Sequence, residues 1–101
     1  MTRLLCNDQE IELNGFTQRY IANIIIGIAR SFGDSSQDIA AYIDDDELRF
    51  DSSRGQLNIE KDFAKELIQS TIKGMLSPLR GIFWDQKIKI IVTADTGHID
   101  V

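Results

Sequence analysis

His98 is the one histidine of the chain, and it stands in DTGHID between Asp95 and Asp100. Side chains alternate along an extended segment, so His98 and Asp100 fall on one side. A histidine flanked by carboxylates is a ligand set for a divalent cation, which makes Asp95, His98 and Asp100 the candidate metal group. The paired His or Cys spacings of dedicated metal sites are missing from the sequence. The segment also closes the sequence, where chains fray. The expectation is no bound metal and no cofactor.

Cys6 is the one cysteine. Its thiol would need a neighbouring base to act as a nucleophile, and His98 is the one imidazole in the sequence. Next to Leu4 and Leu5, on an extended segment, it reads as a small buried apolar residue. A single cysteine forms no internal disulfide, which fits a reducing cytosol.

The acidic run DDDE, Asp44 to Glu47, lacks the glycine and closing glutamate of a calcium loop. It reads as a solvated strand connection whose charge resists edge pairing, open to docking by a basic segment. GDSSQD and DSSRGQ contain Gly and Ser but not the spacing of a phosphate loop. Arg30, Arg54 and Arg80 are anion ligands in principle, scattered along the chain. With one His and one Cys, acid–base work would fall to carboxylates, which are too common to mark a site. The chain reads as lacking intrinsic catalysis.

Binding is better represented than catalysis. GIFWDQ brings Phe83 and Trp84 together, and such aromatics are enriched where proteins meet. Ile26 lies off the main apolar stripe of its helix. Ile26, Phe83 and Trp84 are therefore the candidate interface residues.

The formal net charge of −5 over 101 residues gives no basic footprint for nucleic acid. It equally opposes docking on anionic lipid. The apolar run from Ile24 to Ala29 is far shorter than the ~20 residues of a spanning helix. In MTRLLCNDQEIEL charge returns at Asp8 and Glu10, so no leader h-region forms. These features together predict a cytoplasmic protein.

The elements that must position these residues follow from periodicity. TRLLCNDQEIEL reads as two strands around an Asn7–Asp8 turn. Asn14 is an N-cap for a helix from Gly15 to Ser31 or Phe32, with Gly33 as its left-handed C-cap. Phe16, Tyr20, Ile21, Ile24, Ile25, Ile28 and Phe32 form its wide apolar face. IAAYI and ELRF are strands, and QLNI is a short partner. A second helix runs from about Glu60 to Leu76 or Ser77, ended by Pro78. Its buried face is Phe63, Leu67, Ile68, Ile72, Met75, Leu76 and Leu79. KIKIIV is the clearest strand, rich in β-branched residues, and TADTGHIDV is a final turn and strand.

These elements predict a single α+β domain over 1–101. The architecture is a two-layer sandwich, with two helices on one face of a mostly antiparallel sheet. The sheet's other face is solvated or covered by a second subunit. An offset of 47 residues superimposes Phe16 on Phe63, Ile21 on Ile68, Ile25 on Ile72 and Gly27 on Gly74. The pattern suggests two hairpin–helix–strand halves, 1–44 and 45–101. Matched helix glycines, each costing about 1 kcal/mol against alanine, read equally as a close approach of the two helix backbones or as tolerated surface residues.

The function expected is a small acidic protein-interaction module, an oligomeric adaptor or subunit, with a protein partner or a second copy of itself. The alternatives are a small-ligand or metal-binding protein, or an enzyme whose site is assembled across subunits.

Overall fold

The computed structural model describes residues 1–44, 47–80, 82 and 87–93. The chain begins with a hairpin of β1 (Thr2–Cys6) and β2 (Gln9–Ile11). Its two-residue turn places Asn7 at φ 54° and Asp8 at φ 70°. Asn and Asp tolerate this left-handed region, and two such residues make the turn whose twist matches paired strands.

The helix α1 (Gly15–Ser31) opens on Asn14, whose side chain accepts a hydrogen bond from the Thr17 amide at 2.8 Å. It closes on Gly33 at φ 83°. There the Gly33 amide donates to the Arg30 carbonyl and the Asp34 amide to that of Ala29. This double bond is the Schellman arrangement, and the positive φ explains why glycine occupies the position. The strands β3 (Ile39–Asp44), β4 (Glu47–Ser52) and β5 (Gly55–Gln56) come next. The helix α2 (Asp62–Leu76) and the strand β6 (Ile88–Val92) are the last described elements.

Among the described residues, six strands form one sheet in the order β2-β1-β6-β3-β4-β5, with every neighbouring pair antiparallel. The architecture is the expected α+β sandwich. KIKIIV lies centrally as β6, between β1 and β3. Exchanging β1, β2 and β3 for β4, β5 and β6 turns this order into its own reverse. That is a symmetry of element order, and it does not make the two halves copies in sequence.

Period-2 alternation decides what each sheet face carries. Leu4, Cys6, Ile39, Ala41, Ile43, Phe50, Ile88, Ile90 and Val92 are buried on the helix side. From the helices, Ile21, Ile25 and Ala29 of α1 and Ile68, Ile72 and Leu76 of α2 close the same core. Thr2 ties α1 to β1 through its hydroxyl, which donates to the Gln18 carbonyl at 2.8 Å. Past the other end of the helix, the Asp34 carboxylate accepts from the Ser52 hydroxyl on β4. The two ties carry α1 across the sheet from β1 to β4.

Three expectations are corrected. Phe16 and Tyr20 of α1, Phe32 at its C-cap, and Phe63 and Leu67 of α2 are exposed rather than buried. At 100° per residue, nine residues separate Phe16 from Ile25 and Phe63 from Ile72 by half a revolution. The sheet takes only the narrow 21/25/29 and 68/72/76 stripes. Second, a Cβ added at Gly27 or Gly74 would meet no atom within 4 Å. Both glycines face open space, so close helix approach is not their reason. Third, α2 begins at Asp62 rather than Glu60, and the strand read in QLNI is confined to Gly55–Gln56.

Candidate interaction surfaces

The helices present their sheet-distal sides to solvent, and both carry large apolar residues there. On α1, Phe16 is 67% exposed and Tyr20 51%; on α2, Phe63 is 75% exposed and Leu67 56%. Each pair is spaced i, i+4, so its members are neighbours one turn apart on one ridge. The Phe16 and Tyr20 rings stack with centroids 5.9 Å apart. A scattered exposed Leu is ordinary. Two i, i+4 pairs at corresponding places on two helices are not scattered. A contiguous apolar ridge on a folded surface marks a contact site.

The charges beside the ridges differ. The only charged residues of α1 are Arg19 and Arg30, both exposed. Beside the α2 ridge stand Glu60, Asp62 and Glu66, all exposed, while Lys65 is half-buried. Lys61 is exposed before the helix and Lys73 lies towards its far end.

The second surface is the open face of the sheet. Arg3, Leu5, Ala40, Tyr42, Arg49, Asp51, Lys89 and Ile91 alternate with the core residues of their strands. Tyr42 pairs with Arg49 on one side and Lys89 on the other. The Arg49 guanidinium carbon lies 4.7 Å from the Tyr42 ring centroid, and the Lys89 ammonium 5.4 Å. Both are within cation–π range. Arg49 also donates to Asp51 at 2.8 Å, and this bond raises the guanidinium pKa above its ordinary value. Arg3 and Glu10 form the equivalent pair at the β1–β2 edge, which holds the Glu10 carboxyl below its usual value. On this face Arg3 and Arg49 are paired with acids, and Lys89 lies against the Tyr42 ring.

A concavity of about 360 Å³ opens at one end of that face, lined by Asp8, Tyr42, Asp44, Glu47, Arg49, Lys87 and Lys89 among others. Ile43 and Ile88 also line it, so charged groups and apolar surface meet there.

Asp34 is a site residue in the structural sense that sequence reading missed. It is buried, at 6% exposure. The Ser36 amide and the Ser52 hydroxyl donate to its carboxylate, with the Ser36 side chain and the Arg54 charge also favouring the ionised form. These bonds hold its pKa below the ordinary range. GDSSQD looked like generic loop composition because the partner, Ser52, lies 18 residues away.

Of the expected interface residues, Ile26 is half-buried and packs against the core. Phe83 and Trp84 lie outside the described residues, as do Asp95, His98 and Asp100. Among the described residues no three His, Cys, Asp or Glu side chains could share a metal ion. Cys6 is buried in the core. Arg30, Arg54 and Arg80 are exposed. Among the described residues, no helix is long and apolar enough to cross a membrane.

The fold and its surfaces define a two-layer α+β domain with apolar ridges on its helix layer. No protein-family model, curated protein or solved structure matches the chain.

Proposed function

We propose that this chain is a non-enzymatic protein-interaction module, an adaptor or a subunit of a larger assembly, that binds through its helix layer. The observation that carries this reading is the exposure of Phe16, Tyr20, Phe63 and Leu67. Taking such rings out of water is the main favourable term in association, and aromatic anchors concentrate binding energy. The earlier candidates Ile26, Phe83 and Trp84 belong to the same reading as further apolar contacts. A cytosolic setting is part of the proposal, supported by a lone cysteine held in the core.

The test is site-specific photo-crosslinking in the source cells, with the photoreactive side chain at Phe63 and, as control, at Glu47 on the other side of the sheet. The module reading expects a discrete adduct from position 63 that Phe16→Ser or Leu67→Ser weakens. Adducts of the same kind and amount from both positions would remove it.

A further inference from the structure

The two ridges are complementary to each other, and this identifies the partner. Resting on the interaction-module reading, we infer that the helix layer docks on a second copy of this chain, with α1 of one protomer against α2 of the other.

Three observations support this. The ridges have the same form: Phe16 and Tyr20 on α1 correspond to Phe63 and Leu67 on α2, each an exposed i, i+4 pair. Immediately beside the ridge residues the charges are opposite, α2 as a whole setting Asp62 and Glu66 against Lys65 and Lys73. Arg19 immediately precedes Tyr20, whereas Glu66 immediately precedes Leu67 and Asp62 precedes Phe63. The Arg19 and Glu66 positions lie on the same side of their ridges, each three residues and so 300° on from Phe16 or Phe63. Finally, α1 holds no acid at all within a chain of net charge −5. Acidic copies repel in general, so a local cationic element favours self-association, and α1 is one.

The arrangement closes. A two-fold axis makes the α1–α2 contact twice, and uses both ridges of both protomers. It leaves no ridge free to propagate a filament. The three exposed aromatic rings alone offer roughly 400 Å² per protomer, about half of a standard partner's share.

The experiment is solution mass by light scattering across a dilution series, for the wild type, Arg19→Glu, Glu66→Arg, the double reversal and Phe63→Ser. All these positions are exposed, so each variant keeps its core. The proposal expects a dimer. Each single reversal raises its Kd by on the order of tenfold, since like charges then face each other at both contacts. The double reversal restores it, and Phe63→Ser weakens it on the order of a hundredfold. A monomer at every concentration overturns self-association. So does a dimer indifferent to these changes, such as one sensitive only to Tyr42→Ser on the open sheet face. A monomer that still gives the position-63 adduct with another protein overturns the second copy and leaves the module reading standing; a monomer with no adduct removes both.

Discussion

The Phe16 and Tyr20 rings stack 28° from coplanar on the outside of α1, one turn apart and away from the sheet. Their mutual contact removes part of their area from water but leaves most of it exposed. Nothing in the core depends on them, and the same holds for Phe63 on α2. Phe63→Ser should therefore change the protomer's own stability by less than about 0.5 kcal/mol. Ile72→Ala, nine residues along the same helix but fully buried, should cost about 2–5 kcal/mol. Urea unfolding of both variants, at concentrations below any self-association, checks the contrast. A large loss from Phe63→Ser would mean that the ridge is core after all.

Gly27 and Gly74 supply the second prediction. Each sits inside a helix with open space where a Cβ would go. Alanine restricts the unfolded chain and fits the helix better than glycine. Gly27→Ala and Gly74→Ala should each raise stability by about 0.5–1 kcal/mol. The two lie on different helices, so the gains should add in the double variant. Thermal unfolding in the presence of urea reads the sum. A loss from either change would restore a packing role for that glycine.

Local signals carried most of the fold. Asn7–Asp8, Asn14 and Gly33 each act on the backbone within a few residues, so their turn and cap roles could be read directly. Alternation in ELRF and KIKIIV separated the two sheet faces for the same reason. What failed was the width of the helix stripes. Periodicity says that Phe16 and Ile21 are apolar, but only the tertiary arrangement says which 100° of the helix meets the sheet. Apolar residues on both sides of that arc read as core from periodicity alone. The candidate site was lost by the same step, since Phe16, Tyr20, Phe63 and Leu67 became visible as a surface only once the core was satisfied without them. Asp34 failed differently, because its bond to Ser52 joins distant parts of the chain.

Asn14 gives a prediction at the start of α1. Its side chain satisfies the Thr17 amide, one of the helix's otherwise orphaned donors. Asn14→Ala should cost about 1 kcal/mol, whereas Asn14→Ser should be close to neutral. Chemical denaturation of the pair separates the cap bond from the mere presence of asparagine. Lys61, the residue before α2, makes no side-chain cap bond. Lys61→Ser at that place should stabilise, which makes it a useful converse.

Asp34 predicts a pH dependence. Hydrogen bonds from Ser36 and Ser52, with Arg54 nearby, favour its charged form in the folded state. Its folded pKa therefore lies below that of the unfolded chain, about 3.9. The stability this carboxylate contributes is fully present above the unfolded value. It is lost as pH falls through the lower, folded value, because the unfolded state then binds the proton more readily. Asp34→Asn removes the titration but keeps the shape. The urea midpoint of the wild type should fall from pH 5 downwards more steeply than that of the variant. Glu10, lowered by Arg3, contributes in the same direction to both proteins and cancels in the comparison. Ser52→Ala should flatten the wild-type slope in part, because it removes one of the donors and leaves the Ser36 amide in place. Parallel curves for wild type and Asp34→Asn would show that the bond between α1's end and β4 holds equally well without charge.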